Sequence, residues 1–254
     1  GSLFLIKKHG ELLRRFLVIA IGLLVLSSSV SFSQVATSVR SRRVVQHRAP
    51  ILKKEMADQD LTYGNPIYIR IFKSEKILEL WVWKDDRFVE FKQYPVCTYG
   101  GEGIGPKTQQ GDGKAPEGFY FVKPQSMNPW SSYHLSFNLG YPNSYDRHHG
   151  RTGSALMVHG SCVSIGCYAM GNDGIEEIYT LAQAALNNGQ PFFRVHIFPF
   201  RMTEEKMKRH SDSENIDFWK NLKEGHDLFK TCEFIPPNVT LEDGKYSYSK
   251  SSNP

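Results

Sequence analysis

Hydrophobic and polar side chains alternate with a period of two along residues 66–99. The apolar positions are rich in β-branched and aromatic residues, and short charged segments separate three runs at the length of hairpin connections. The runs are IYIRIF (67–72), ILELWVW (77–83) and FVEFKQYPVCTY (88–99). Because this alternation is typical of β-strands, we predict an antiparallel meander.

Further apolar segments predict strands at 118–122, 136–142, 154–159 and 191–200. Between the last two, apolar residues recur at the spacing of one helix face over residues 172–189, where Asp173 and Glu176 fit a capping box. Two more helices are predicted at 203–210 and 216–229. The expected fold class is therefore mostly β, a mixed sheet or sandwich with a few helices.

Changes in composition divide the chain into five segments. Residues 1–33 have the features of an export signal, since a positive flank precedes fifteen apolar residues and small residues follow at a position suited to cleavage. That run is short for a membrane span, which needs about 20 residues, so a retained anchor is the less favoured alternative. The other segments are a polar linker with one short helix (34–62), the principal domain (63–200), a helical C-terminal extension (201–235) and a flexible tail (236–254).

Charge and cysteine content narrow the possible functions only slightly. The formal net charge is +5 and is not concentrated in one long basic run, so nucleic-acid binding is not expected. After export, Cys97, Cys162, Cys167 and Cys232 would lie in an oxidising compartment. The cysteine count alone does not distinguish paired thiols from a working one.

The segment LMVHGSCVSIGCYAM (156–170) holds one His and two Cys within nine residues. His159 ends a predicted strand, and Cys167 follows Gly166 shortly before a predicted helix. A neighbouring imidazole or a helix N-terminus lowers the pKa of a thiol, and backbone N–H groups beside a Gly could face an oxyanion. The arrangement indicates acyl transfer by a cysteine nucleophile.

Three other roles fit the same residues. A buried Cys is often only a small apolar filler. Cys162 and Cys167 could form a tight disulfide in an exported protein, and a zinc site could combine His159 with His148 or His149. The spacing lacks the common zinc patterns, so no metal or other cofactor is expected.

Residues 100–118, GGEGIGPKTQQGDGKAPEG, form a Gly-rich segment before a predicted strand. Such a backbone bends freely and can approach a ligand closely, although a flexible surface loop has the same composition. The segment lacks the spacing and the Lys-Ser/Thr ending of a phosphate-binding loop.

The order of these motifs resembles the L,D-transpeptidase catalytic domain, also called the YkuD domain. VHG (158–160) followed by SIGC (164–167) is similar to the family's His-Gly and Ser-x-Gly-Cys, and the Gly-rich entry to PEGFY (116–120) is similar too. GYPNSYDRHHG (140–150) and FPFRMT (198–203) resemble the YafK-like subgroup of Gram-negative bacteria. The resemblance covers roughly residues 65–230.

The resemblance implies a role for each motif residue. Cys167 would be the nucleophile and His159 the general base. Gly160 would orient the imidazole through its backbone carbonyl. Gly166, with Cys167, would provide oxyanion-hole N–H groups, and Ser164 would support the loop.

The chain departs from the wider family on both sides of the cysteine. Ile165 replaces a His that is common before the Gly-Cys pair, and Tyr168 with Ala169 replaces a pair whose polar member helps to shape the substrate pocket. We expect other polar groups to bind the substrate instead. The alternative is that these groups only form a solvated surface loop. These groups are Tyr145, Arg147, His148, His149 and Tyr168.

The resemblance implies a periplasmic enzyme that acts on peptidoglycan stem peptides at meso-diaminopimelate. The subgroup's association with release of the outer-membrane lipoprotein favours hydrolysis of the diaminopimelate–lysine amide. The alternatives are transpeptidation that forms 3–3 crosslinks or attaches the lipoprotein, carboxypeptidase trimming, and a non-catalytic cell-wall binding domain.

Overall fold

The computed structural model describes residues 34–101 and 103–251. The predicted export signal lies outside the described residues. In chain order the elements are α1 (Val39–Ala57), β1 (Ile67–Phe72), β2 (Ile77–Lys84), β3 (Arg87–Pro95), β4 (Gly118–Val122), β5 (Met127–Asn128), β6 (Ser136–Asn138), α2 (Ser144–His148), β7 (Met157–His159), β8 (Tyr168–Ala169), α3 (Gly171–Asn187), β9 (Phe193–Phe198), α4 (Glu204–Arg209), α5 (Ile216–Thr231), β10 (Asn238–Glu242) and β11 (Lys245–Ser249). None of the helices in this part of the chain is both long and apolar enough to span a bilayer.

A five-stranded sheet, ordered β3-β2-β1-β9-β4, forms the centre of the fold. Strands β1 to β3 are the antiparallel meander that the period-two pattern predicts. Strand β9 pairs in parallel with β1, and β4 closes one edge antiparallel to β9. The β-rich fold class with a few helices is thereby confirmed.

Both faces of this sheet are covered, which explains why every residue of β1 is buried. Ile69 and Ile71 join the main apolar core together with Ile178 of α3. On the opposite face, Tyr68 packs against Phe229 of α5 with ring centroids 5.0 Å apart. Each such side chain contributes about 1.5–3 kcal/mol when fully buried, so the two helices hold the sheet from both sides.

A second sheet, ordered β5-β6-β7-β8, carries the candidate catalytic residues. Strand β7 pairs antiparallel with β6 and in parallel with β8, and its register sets Val158 opposite Tyr168. Strand β7 ends at His159, and Cys167 immediately precedes β8. The predicted strands at 136–142 and 154–159 are shorter than expected. The pairing of β7 with β8 brings His159 and Cys167 to neighbouring segments of the chain.

Most of the segment predicted as a linker is helical. Helix α1 runs through Pro50 and begins at Ser38, whose hydroxyl accepts from the N–H of Ser41. The Oγ of Ser38 donates to the carbonyl of Pro129 at 2.8 Å, which anchors the helix start. Only four residues of α1 are buried, and the helix therefore needs no strong apolar face that the sequence could show.

The capping box predicted for α3 is wrong. Helix α3 begins after Met170 without a side-chain cap. Glu176 instead accepts from Arg48 of α1 at 2.7 Å, and Asp173 accepts from the same guanidinium. These carboxylates join two helices rather than closing a helix end.

The predicted flexible tail contains a hairpin, β10–β11, so that prediction is wrong for residues 238–249. Tyr246 is buried, and its backbone is held by Asn221 of α5: the Tyr246 N–H donates to Oδ1 at 2.8 Å and its carbonyl accepts from Nδ2 at 2.9 Å. Helices α4 and α5 occupy the segment that was predicted to be helical. The hairpin depends on these long-range contacts, which its polar sequence does not reveal.

Candidate active site

Cys167 lies half-buried at the entry to β8, next to β7. The backbone N–H of Met157 donates to its Sγ at 3.4 Å, and the thiol faces the carbonyl oxygen of Ala155 at 3.6 Å. Burial raises the pKa of the Cys167 thiol, and the Met157 hydrogen bond and the charge of Lys107 only partly oppose this rise. The resting group at neutral pH is therefore a thiol rather than a thiolate.

His159 ends β7 and is almost fully buried. Its Nδ1 lies 2.6 Å from the carbonyl oxygen of Gly160. A carbonyl can only accept, so Nδ1 carries the proton and Nε2 keeps the basic lone pair. Burial lowers the pKa of His159 more than this hydrogen bond raises it, so the imidazole is neutral at pH 7. The Gly160 carbonyl therefore fixes the orientation of the His159 ring in this structure.

Gly160 fits a space that no larger residue could enter. A Cβ at this position would lie 2.7 Å from the carbonyl oxygen of Tyr133 and 2.9 Å from Oδ1 of Asn172. The ring of Tyr133 packs on the His159 ring with centroids 4.7 Å apart. Tyr133 lies in an irregular loop and belongs to no motif, so its position beside His159 cannot be predicted from the sequence.

Ser164 organises the loop between His159 and Cys167. Its Oγ accepts from the N–H groups of Cys167 at 2.8 Å and Gly166 at 3.1 Å, and it donates to the carbonyl of Cys167 at 2.7 Å. These three hydrogen bonds hold Gly166 and Cys167 in one turn of the loop. The oxyanion-hole assignment for Gly166 does not fit this arrangement, because the Ser164 hydroxyl already occupies both N–H groups.

The Gly-rich segment packs against the cysteine loop. Gly166 has φ +139°, and a Cβ there would lie 2.9 Å from the carbonyl oxygen of Lys114. A Cβ at Gly100 would lie 2.4 Å from the backbone nitrogen of Gly166. The two loops therefore touch backbone to backbone, which explains the need for glycine on both sides.

A buried ion pair stabilises the same Gly-rich segment. Lys107 Nζ donates to Asp112 Oδ1 at 2.7 Å, and both side chains are less than one-tenth exposed. Burial alone would raise the pKa of Asp112, but this bond and three backbone N–H groups lower it to about 2. The segment around Asp112 is therefore held in one conformation by these hydrogen bonds rather than forming a flexible loop.

Cys97 and Cys162 form a disulfide, with Cα atoms 5.5 Å apart. The bond ties the segment after β3 to the loop that carries Cys167. Cys167 and Cys232 are free thiols. The alternative in which Cys162 pairs with Cys167 is therefore wrong for this structure.

Two of the predicted substrate-binding tyrosines are buried in the protein. Tyr168 is fully buried, and its hydroxyl donates to the carbonyl of Pro116 at 2.7 Å. Tyr145 stacks on Tyr246 of the C-terminal hairpin with centroids 4.4 Å apart. Both side chains are turned into the protein, so the structure does not support either assignment.

The three remaining predicted groups contact other parts of the chain. Arg147 donates to the carbonyl of Pro142. His149 donates from Nε2 to the carbonyl of Gly244 at 2.7 Å, and His148 lies against the same glycine. The structure does not bring them together with Cys167, so their assignment to its substrate pocket is not supported. Across the described residues, His, Cys, Asp and Glu form no group of three that could hold a metal ion.

Comparison with known proteins identifies the family. The model of the YkuD L,D-transpeptidase catalytic domain matches residues 66–197. The protein named "Putative L,D-transpeptidase YafK" from Escherichia coli strain K12 is 49% identical over 187 residues, which are 74% of this chain and 75% of that protein. The protein of the same name from Escherichia coli O157:H7 matches equally.

Two solved structures align over much of the chain. The helical cell shape determining protein Pgp2 from Campylobacter jejuni covers 76% of this chain and 71% of its own, with 20% identity and a TM-score of 0.43. Bd1075 from Bdellovibrio bacteriovorus covers 66% and 62%, with 22% identity and a TM-score of 0.39. Because the family model spans more than half of the sequence, this chain belongs to the YkuD L,D-transpeptidase catalytic-domain family.

Proposed function

We propose that this chain is an exported cysteine hydrolase that acts on peptidoglycan. It would cleave the amide between meso-diaminopimelate of a stem peptide and the C-terminal lysine of an outer-membrane lipoprotein. The observation that carries the proposal is the position of Cys167 directly before β8 and of His159 at the end of the neighbouring strand β7, with the imidazole fixed through Nδ1 by the Gly160 carbonyl. The family membership supports the substrate class.

The first step forms an acyl-enzyme. As Sγ of Cys167 attacks the amide carbonyl carbon of diaminopimelate, the thiol proton passes to Nε2 of His159. Collapse of the tetrahedral intermediate breaks the C–N bond, and the lysine amine leaves with the proton from His159. A thioester on Cys167 remains. The Cys167 thiol and the His159 imidazole both begin uncharged, because burial raises the pKa of Cys167 and lowers the pKa of His159.

The second step restores the enzyme. Water attacks the thioester while Nε2 of His159 takes a proton from it, and the thiol leaves as the diaminopimelate carboxyl group forms. An amine acceptor in place of water would give transpeptidation. Tyr168 supports water, because the residue after the nucleophile is buried and bonded to Pro116 and so offers no group to position an amine.

Two features support export to the periplasm. The first is the charged and apolar pattern of residues 1–33. The second is the disulfide between Cys97 and Cys162, since such bonds form and persist in oxidising compartments.

Purified protein should be incubated with muropeptides that carry the lipoprotein-derived lysine and with muropeptides that lack it. Mass spectrometry should show loss of the lysine adduct without new 3–3 crosslinks. New crosslinks would establish transpeptidation instead, and trimming of unmodified tetrapeptides would establish a carboxypeptidase. No turnover of any muropeptide, with Cys167 intact, would favour a binding domain.

A further inference from the structure

Helix α1 contacts a loop that lies directly against the candidate general base, His159. The loop comprises residues 129–135 and connects β5 with β6. The ring of Tyr133, near its end, packs on the His159 ring with centroids 4.7 Å apart. Helix α1 precedes the residues that the family model matches, which begin at residue 66. The helix therefore contributes contacts beside the active site from outside the matched domain.

The 129–135 loop fixes the backbone of Gly160 at two points. The N–H of Gly160 donates to the carbonyl of Leu135 at 3.0 Å. A Cβ at Gly160 would lie 2.9 Å from the Cβ of His134, so the Gly160 backbone lies directly against that side chain. Because the carbonyl of Gly160 accepts from Nδ1 of His159, a shift of the loop would move the group that orients the imidazole.

His134 has an unusual backbone conformation within this loop. Its φ is +71°, in the left-handed region where residues other than glycine seldom lie. Its Nε2 donates to Oε1 of Glu176 on α3 at 2.8 Å, and Glu176 also accepts from Arg48 of α1. Its carbonyl accepts from Nη1 of Arg40 on α1 at 2.6 Å. A strained residue persists only where its surroundings hold it, so these contacts maintain the conformation of the loop.

Arg40 binds the loop at a second point. The same Nη1 donates to the carbonyl of Ser131 at 2.9 Å, so one guanidinium holds the loop on both sides of Tyr133. Nearby, Oγ of Ser38 donates to the carbonyl of Pro129 at 2.8 Å. Hydrogen bonds from a cation are stronger than those between neutral groups. Because Arg40 is exposed, its replacement should leave the apolar core intact.

We infer that Arg40 is a positioning residue for the acyl-transfer reaction. It holds the 129–135 loop against Gly160, and through Gly160 it keeps the imidazole of His159 in the tautomer that carries its proton on Nδ1. The inference rests on the proposed function, in which His159 is the general base. Loss of Arg40 should therefore reduce the population of the reactive tautomer without removing any group that touches the substrate.

Nitrogen-15 NMR of the full chain, labelled at histidine and held at neutral pH, tests the inference without a substrate. The His159 signals are assigned by their loss in His159→Gln. The wild type should show the tautomer protonated at Nδ1, and Arg40→Ala should show a mixture with the tautomer protonated at Nε2. Arg42→Ala is the matched control and should resemble the wild type, because Arg42 donates to Thr37 on its own segment. An unchanged tautomer in Arg40→Ala would overturn the inference.

Cleavage of muropeptides provides a second readout. Arg40→Ala should lower kcat about tenfold or more and change KM by less than about twofold, as expected when a catalytic group is misplaced. Arg40→Lys should recover part of this loss, since an ammonium group can donate to the same carbonyls. Equal kcat in Arg40→Ala and the wild type would contradict the inference. If the wild type cleaves no muropeptide, the proposed function fails, and the tautomer measurement still decides whether Arg40 positions the imidazole.

Glu176→Ala provides an independent variant if Arg40→Ala does not fold. It removes the acceptor of the His134 imidazole and leaves the guanidinium of Arg40 in place. The tautomer of His159 should shift in the same direction as in Arg40→Ala. An unchanged tautomer in a folded Glu176→Ala protein, as judged by Tm, would show that the contacts of the loop do not position His159.

Discussion

The imidazole of His159 donates from Nδ1 to the carbonyl oxygen of Gly160 across 2.6 Å. One backbone oxygen thus fixes both the ring orientation and the tautomer, a task that a carboxylate performs in many catalytic triads. A neutral carbonyl adds no negative charge, so burial still lowers the pKa of His159. The site is therefore built to begin its reaction from an uncharged thiol and an uncharged imidazole.

The pH dependence of activity should reflect the lowered pKa of His159. Only the neutral imidazole can act as the base, and burial keeps it neutral at pH values below its ordinary pKa of 6.5. The acid limb of kcat/KM should therefore lie below pH 6.5, and activity should be lost only as the pH falls through the lowered value. An acid limb above pH 7 would contradict an uncharged resting pair. The measurement is a profile of muropeptide cleavage against pH, with Tm followed in parallel.

Gly160→Ala should shift the position of the His159 imidazole while leaving the imidazole itself unchanged. The added Cβ would approach the Tyr133 carbonyl oxygen to 2.7 Å, so the chain must shift at the residue that orients His159. We expect a loss of about 1–3 kcal/mol in the free energy of unfolding and a clear fall in kcat. Gly174→Ala is the matched control, because its Cβ would meet only Met170 at 3.4 Å within helix α3. Full activity in Gly160→Ala would show that the close approach is unimportant.

Ser164→Ala should loosen the loop that positions the nucleophile. The Ser164 hydroxyl forms hydrogen bonds with three backbone groups of Gly166 and Cys167. Losing these hydrogen bonds lowers the free energy of unfolding by about 1–3 kcal/mol if the backbone groups stay buried. Urea unfolding should report this loss, and kcat should fall more than KM changes. Ser154→Ala, at an exposed position, is the control. If Ser164→Ala instead raised kcat, the freed N–H groups would be acting as the oxyanion hole.

The Cys97–Cys162 disulfide should stabilise both the fold and the active-site loop. It closes a loop with a sequence separation of 65 residues, and removing such a bond costs about 2–4 kcal/mol. The double variant Cys97→Ser with Cys162→Ser should unfold at lower urea concentration and lose activity. Cys232→Ser should do neither, since Cys232 is a free thiol. Unchanged activity after loss of the disulfide would show that it does not control the loop.

Asp112→Asn should remove a pH-dependent part of the stability. The folded pKa of Asp112 is lowered to about 2, so its ionised form stabilises the fold above its ordinary pKa and this contribution is lost as pH falls toward 2. The wild type should exceed the variant by about 2 kcal/mol near neutral pH, and the two should converge near pH 2. Urea unfolding at several pH values measures both. A constant difference across this range would exclude the ionised pair as its cause.

The sequence predicted those parts of the molecule that depend on local pattern. Strands β1 to β3 could be predicted because their apolar positions recur with a period of two and are rich in β-branched and aromatic residues, and the motif order pointed to His159 and Cys167. Helix α1 was predicted only as one short helix and the hairpin β10–β11 was not predicted, since the full helix and the hairpin depend on contacts with distant residues such as Glu176 and Asn221. Of the residues expected to bind substrate, Tyr145 and Tyr168 are buried, whereas Arg147, His148 and His149 are exposed, because burial depends on tertiary packing that residue type does not reveal.

The most direct test of the central claim is cleavage of a lipoprotein-linked muropeptide in water enriched in oxygen-18. If Cys167 forms a thioester that water resolves, the released diaminopimelate carboxyl group should gain one heavy oxygen. Cys167→Ala should give no product, and His159→Ala should cost a factor of about 10² to 10⁴ in kcat. Cleavage by Cys167→Ala at the wild-type rate, or transfer to an amine without heavy oxygen in the product, would contradict cysteine-dependent hydrolysis.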